Sequence, residues 1–156
     1  MPKLVPVSDT CAEVDDEDFG LVSQYTWWVQ ADRNTTYART YKPDEPGERI
    51  HMHELVLGVR GRIDHKDGNG LNNQKSNLRP ATRSQNAMNQ KKKADTSSQY
   101  KGVHLTKDDK WTARINKDKK RTYLGTFATE VEAARAYDRA ARELFGEFAR
   151  PNFPET

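Results

Sequence analysis

Asp64 and His65 stand side by side at the end of a short apolar run, and the turn-forming stretch Lys66-Asp67-Gly68-Asn69-Gly70 follows them. Asn77 lies 12 residues after His65, and Asn86 lies 21 residues after it. These side chains suit the hydrolysis of a phosphodiester. That reaction needs an activated water, neutralised charge at phosphate and a stabilised leaving oxygen. A neutral imidazole accepts a proton from water near pH 7. A hard cation takes carboxylate and amide oxygens and leaves positions for water and phosphate. His65 is therefore the candidate general base and Asp64 the candidate metal ligand, with Asn86 as the second protein ligand. Asn77 either orients His65 or holds the loop. The expected cofactor is one divalent ion, Mg²⁺ first and Mn²⁺ second.

Two other readings compete. An EF-hand loop needs Gly at position 6, an acid or amide at position 1 and Glu at position 12. Aligning Gly70 to position 6 puts His65 first and Ser76 twelfth, and aligning Gly68 puts Ile63 first. Both fail. The bland alternative is a turn rich in Gly and Asn that happens to carry a His.

The elements that must position this set read as strand, loop, strand, helix. Arg62–His65 enters as a strand, Asp67-Gly68 and Asn69-Gly70 turn the chain, and Asn77–Ala81 returns. Thr82-Arg83-Ser84-Gln85 has the form of a capping box, so a helix is predicted to start at Thr82 with Asn86 in its first turn. Adjacent residues on an ideal strand face opposite ways, so Asp64 and His65 should sit where the strand breaks into the loop.

Upstream, residues 4–7 and 12–14 read as short strands, and the acids from Asp15 to Asp18 suit a helix start. Trp27–Gln30, Thr36–Arg39 and Ile50–His53 are predicted strands, and Glu54–Leu57 a helical turn closed by Gly58. This front reads as a small α+β layer that braces the motif. His51 and His53 share a face if both lie on a strand, and with no third ligand type in view a structural or DNA-contacting role is favoured over ligation.

Downstream, Lys91, Lys92 and Lys93 open a charged and then small-polar segment through Ser98, a linker by composition. From Tyr100 the pattern changes. Tyr100–Leu105, Trp111–Asn116 and Arg121–Phe127 read as strands, and Trp111, Ala113 and Ile115 alternate with Thr112, Arg114 and Asn116. Thr129 and Glu132 form a second capping box, and Ala133, Ala134, Tyr137, Ala140, Ala141, Leu144 and Phe145 make one apolar stripe. The small alanines let this helix lie close to the sheet. The opposite face, with Arg114, Asn116, Arg121 and Tyr123, is then left to read DNA from the major groove.

Composition agrees. The 156 residues are 34% hydrophobic, with a mean hydropathy of −1.03, so only small cores are expected. The single cysteine, Cys11, excludes an internal disulfide and any zinc site built on several thiolates. No stretch has the length and apolarity of a signal peptide or a membrane span. Residues 1–59 carry 5 Lys/Arg against 11 Asp/Glu, residues 60–128 carry 17 against 6, and residues 129–156 carry 4 against 6. The basic middle points to a polyanion, and double-stranded DNA is the expected partner.

The run DHKDGNGLNNQKSNLRPATRSQNAMNQ resembles the HNH endonuclease family in its phage and homing-type form. HMHELVLG and VDDEDFGLVSQYTWW resemble the N-terminal parts of such proteins. The resemblance implies a ββα-metal core with His65, Asn77 and Asn86 as its three signature positions and Asp64 as companion ligand. Asn86 stands where many members have His. From Ser97 to Pro154 the GV, W-A-I, YLGTF, EAARAYDRAA and NFP elements resemble, in order, the plant APETALA/ethylene-response-factor DNA-binding domain. That family reads DNA with a three-stranded sheet, which implies Lys101, His104, Arg114, Asn116, Arg121 and Tyr123 as contacts.

The expected architecture is α+β. It comprises an HNH nuclease domain over 1–90, a basic linker over 91–98, and a domain over 99–156 with a three-stranded antiparallel sheet on one helix. The expected function is a metal-dependent, site-directed, nicking DNA endonuclease of homing type. It would act as a monomer beside the DNA in the cytoplasm of a bacterial or phage-infected cell. The alternative is a sequence-specific DNA-binding regulator whose nuclease half is inactive.

Overall fold

The computed structural model describes residues 1–154. Two compact units follow one another, Met1–Thr82 and Arg83–Thr156.

The first unit opens with the antiparallel hairpin β1 (Lys3–Val7) and β2 (Thr10–Val14). Its alternation buries Val5, Val7, Ala12 and Val14 on one face, each valine contributing roughly 1.5–3 kcal/mol of transfer free energy. Helix α1 (Asp16–Val22) follows, with three acids in its first turn, where the helix dipole favours them. Strands β3 (Trp28–Ala31), β4 (Thr36–Tyr41) and β5 (Arg49–His51) form an antiparallel sheet in that order. Helix α2 (Met52–Leu57) comes next and ends at Gly58, which is left-handed with φ of 64°. Strands β6 (Ile63–His65) and β7 (Leu78–Pro80) close an antiparallel pair, with Asp64 opposite Arg79 and His65 opposite Leu78. A short 3₁₀ turn, Lys75–Asn77, leads into β7. Val22, Trp27, Ala38, Met52, Val56, Ile63 and Leu78 complete the core.

Two strands differ from the sequence pattern, and the one expected from Tyr100 begins only at Val103, because the chain turns at Gly102 with φ of 77°. The strand predicted over Ile50–His53 ends at His51, and Met52 and His53 already belong to α2. The cause is a capping box. The Glu54 carboxylate accepts the His51 backbone N–H at 3.0 Å and so starts the helix two residues earlier.

The second unit begins with helix α3 (Arg83–Met88). Strands β8 (Val103–Leu105), β9 (Trp111–Lys117) and β10 (Lys120–Phe127) form an antiparallel sheet in the order β10-β9-β8. Helix α4 (Glu130–Phe145) carries the predicted capping box, with Thr129 and Glu132 bonding each other's backbone N–H groups. It lays Ala133, Ala134, Tyr137, Ala141 and Phe145 against Val103, Ala113 and Ile115. The C-terminal sheet and helix are thus as the alternation and the apolar stripe predict. Gly102 sits under this contact with φ of 77°, and a Cβ there would collide with the Tyr137 ring. The turn between β9 and β10 places Asp118 and Lys119 at positive φ, as a tight hairpin turn requires. The buried Asp138 accepts the backbone N–H groups of Asn152 at 2.7 Å and Phe153 at 2.8 Å, and so ties the C-terminal segment to α4.

Candidate functional site

Asp64 and His65 are the last two residues of β6, and both are buried. Asp64 Oδ2 lies 2.8 Å from Arg79 Nε and 2.7 Å from a terminal nitrogen of the same guanidinium. The strand register produces this pair, because Arg79 is the cross-strand neighbour of Asp64. His65 Nε2 lies 3.2 Å from Asn73 Oδ1. Asn73 is 0% exposed, and its amide nitrogen points to the Leu71 carbonyl at 3.3 Å and the Met52 sulfur at 3.4 Å. Its oxygen therefore faces the imidazole and accepts from Nε2–H, which leaves the lone pair on Nδ1. Burial lowers the pKa of His65, against the opposing pull of Asn73, Asp67 and Asp64. The ring is thus neutral near pH 7, as a general base must be.

Asn77 holds the loop. Its Oδ1 accepts the Asp67 backbone N–H at 3.0 Å, and its Nδ2 donates to Asp67 Oδ1 and to the Asn72 carbonyl, each at 2.9 Å. Asp67 also takes the Asn69 backbone N–H at 2.8 Å and Asn72 Nδ2 at 2.8 Å. Burial would raise the Asp67 carboxyl, but these donors and His65 outweigh it and hold the carboxyl below its ordinary value. Of the two roles open to Asn77, these contacts are those of the loop role. The residue that orients His65 is Asn73, which sequence reasoning passed over. Its signal was present as the second Asn of Asn72-Asn73, eight residues past His65.

The acidic front braces this loop, as its composition suggested. Glu13 N–H donates to the Leu71 carbonyl at 2.8 Å, and Asn73 N–H returns to the Glu13 carbonyl at 2.7 Å. Asp15 accepts the Lys75 backbone N–H at 2.8 Å, while the Lys75 ammonium meets Glu17 at 2.7 Å and Asp18 at 3.0 Å. Gly70 packs against β4, and a Cβ there would overlap the Thr36 carbonyl and the Tyr37 ring. Only glycine allows that approach.

Tyr37 is shared by three imidazoles, with ring centroids 5.9 Å from His51, 5.7 Å from His53 and 5.7 Å from His65. His53 stands edge-on to His65 at 5.1 Å. His51 and His53 are not neighbours on one strand face, because His53 lies on α2, yet their rings stack.

Asn86 is half-buried on α3, in the second unit. In that unit the outward face of the sheet carries His104, Arg114, Asn116, Arg121 and Tyr123, all exposed. Register pairs Asn116 with Arg121, Arg114 with Tyr123, and His104 with Thr112. The Tyr123 hydroxyl is fixed by Thr126 Oγ1 at 2.5 Å. Burial and the charges of Arg114 and Arg121 lower the pKa of His104, so the face stays strongly cationic through its arginines alone. Lys101 is different. Its ammonium donates to the Met88 carbonyl at 2.8 Å and the Gln90 carbonyl at 2.7 Å. It satisfies carbonyls at the end of α3, and burial beside Arg150 lowers its pKa to about 8. Ser84 Oγ donates to Asp118 at 2.6 Å and anchors the other end of α3. A cleft of about 1110 Å³ runs between α3 with the following lysines and the sheet face. Lys91, Lys92 and Lys93 line it opposite Arg114, Asn116 and Arg121.

This sheet on one helix is the architecture of an AP2 domain, and the family model described as AP2 domain matches residues 98–147. Over 59 residues, 36% of the chain, it is 54% identical to APETALA2-like protein 2 of Oryza sativa subsp. indica, spanning 14% of that protein. Over 66 residues, again 36% of the chain, it is 46% identical to dehydration-responsive element-binding protein 2E of Arabidopsis thaliana, covering 27% of that protein. A different relative spans both units. The chain is 36% identical over 149 residues to an uncharacterized HNH endonuclease of Acanthamoeba polyphaga mimivirus, covering 92% of this chain and 75% of the viral protein. The chain belongs to the HNH endonuclease family, and its C-terminal part is an AP2 domain.

Proposed function

We propose that the protein is a metal-dependent DNA endonuclease directed to its site by the AP2 domain. The observation that carries the reading is the buried, neutral His65, oriented by Asn73 beside the Asp64 carboxylate. His65 Nδ1 takes the proton from the attacking water. On the family resemblance, Asp64 would hold one Mg²⁺, with Mn²⁺ as substitute, and Asn86 stands at the motif's second ligand position in the sequence. Carboxylate and amide oxygens fit such an ion. The ion supplies charge neutralisation at the scissile phosphate and the leaving oxygen. Arg79 fixes the Asp64 carboxylate, and Asn77 with Asp67 keeps the loop after His65 in one conformation.

The cationic sheet face reads a duplex in the major groove. Arg114, Asn116, Arg121, Tyr123 and His104 contact bases or backbone, and Lys91, Lys92 and Lys93 contact phosphate. One Asp64/His65 set per chain makes the protein a monomeric nickase of homing type, since two unlike units read an asymmetric site that calls for no two-fold symmetry. The test is conversion of supercoiled plasmid in Mg²⁺. Nicked circles accumulate before linear product, at a rate per protein independent of protein concentration. Supercoiled plasmid passing straight to linear form, with a dimer mass in solution, contradicts the nickase.

One observation favours a second reading. Asp64 is already in an ion pair with Arg79 at 2.7 Å. If that pair excludes a metal, the chain is a DNA-binding regulator with an inactive nuclease half. Cation-independent DNA binding with no cleavage in Mg²⁺ or Mn²⁺ would select it.

A further inference from the structure

His51, His53 and Glu54 meet at the corner where β5 runs into α2, and one ligand atom from each lies within 4.8 Å of the other two. Sequence spacing suggested no third ligand for the two imidazoles, and the capping box supplies it. Glu54 Oε2 lies 3.2 Å from His51 Nδ1. His51 Nε2 lies 3.1 Å from Gln30 Oε1, which also accepts from Arg39 at 2.7 Å. Gln30 Oε1 is therefore an acceptor that takes the proton of His51 Nε2, and Nδ1 stands beside a carboxylate oxygen. An imidazole nitrogen and a carboxylate oxygen thus stand side by side, a pair of donor atoms that one metal ion can share. His53 stacks on His51 at 5.0 Å with 6° between the planes. It is 7% exposed. A neutral imidazole nitrogen in this position is a ready metal ligand. Burial, with His65 and His51 nearby, lowers its pKa to about 3, so it is neutral at pH 7.

We propose that His51, His53 and Glu54 bind one zinc-class transition-metal ion through two imidazole nitrogens and one carboxylate oxygen, with a further position open to water. This site goes beyond the nuclease reading and shares no ligand with it. The donor set decides the ion. Imidazole suits Zn²⁺, Co²⁺ and Ni²⁺, whereas Mg²⁺ prefers oxygen. Tetrahedral ligation sets donor atoms about 3.3 Å apart, so the triangle has to close. His51 and Glu54 can move, with side chains 30% and 16% exposed, while the buried His53 stays fixed. Gln30 becomes the outer partner that orients His51. Because His53 stands edge-on to His65, the ion braces the wall on which the general base packs.

The test uses the full chain, freed of metal by a chelator. It is titrated with Zn²⁺ by calorimetry and with Co²⁺ by visible absorption, in excess Mg²⁺. One equivalent should bind, with the d–d bands of a low-coordinate cobalt site and a higher melting temperature in Zn²⁺. Glu54→Gln and His53→Gln, each checked for fold by circular dichroism, should weaken binding by about tenfold or more, while Asp64→Asn should leave it unchanged. Absent binding, binding that both folded variants retain, or binding that Asp64→Asn abolishes overturns the proposal. None of these readouts depends on cleavage, so their failure leaves the nuclease reading standing.

Discussion

The imidazole of His65 is held by the amide of Asn73, with Nε2 3.2 Å from Oδ1, and that amide is itself locked by donating to Leu71 and Met52. Three elements of the first unit converge on this contact: β6 carries His65, α2 carries Met52, and the loop braced by Glu13 carries Asn73. The tautomer of His65 is thus set by packing at the centre of the unit.

Asn73→Ala should cost about 1–3 kcal/mol of stability, because it leaves the buried Nε2–H without an acceptor. Asn73→Asp keeps an acceptor but adds a negative charge, which raises the His65 pKa. His65 must be neutral to act, so the acid limb of the cleavage profile should move to higher pH in Asn73→Asp. A profile that does not move would remove Asn73 from control of the base.

Stability should depend on acid in a defined window. His53 and His65 are both buried imidazoles whose folded pKa lies below the unfolded value of 6.5. The unfolded chain binds more protons below that value, so stability is complete above about pH 6.5 and falls as pH drops toward the folded value of about 3 for His53. For His53 alone the loss is on the order of 5 kcal/mol at the bottom of the window. Urea midpoints measured from pH 7.5 to 4 should fall for wild type and fall less for His53→Gln. Parallel curves for the two proteins would contradict this.

Helix α3 should behave as part of the DNA-reading unit. Lys101 donates to the Met88 and Gln90 carbonyls, and Ser84 donates to Asp118. A fragment covering 83–156 should therefore melt at a higher temperature than one covering 97–156, although both should bind duplex DNA without cutting it. Equal melting temperatures would show that these contacts contribute nothing.

Arg114→Ala and Arg121→Ala should each weaken specific binding by roughly 1–3 kcal/mol if they read bases. Lys91→Ala, Lys92→Ala and Lys93→Ala should weaken all sequences alike and flatten the salt dependence. If both arginine variants keep the wild-type preference, another surface does the reading.

The C-terminal unit was legible because its rules are local. Trp111, Ala113 and Ile115 alternate cleanly, and Thr129 with Glu132 announces the helix. The His65 hairpin was legible from its turn dipeptides. The start of α2 was hidden because His51 and His53 fit a strand period until Glu54 caps the chain at His51. Asn73 is visible in the sequence as the second Asn of Asn72-Asn73, but its contact with His65 is set by where β2, α2 and β6 meet, which the spacing alone does not show. Lys101 read as a DNA contact by position, and only its depth beside the end of α3 shows the carbonyls that it serves.

The most direct measurement is plasmid cleavage by the wild type and by His65→Ala, each in Mg²⁺ and in EDTA, with duplex binding followed in parallel. The proposed mechanism predicts cleavage by the wild type in Mg²⁺, none in EDTA, and a loss of about 10²-fold or more in His65→Ala with binding retained. Full cleavage by His65→Ala, or cleavage that persists in EDTA, would contradict it.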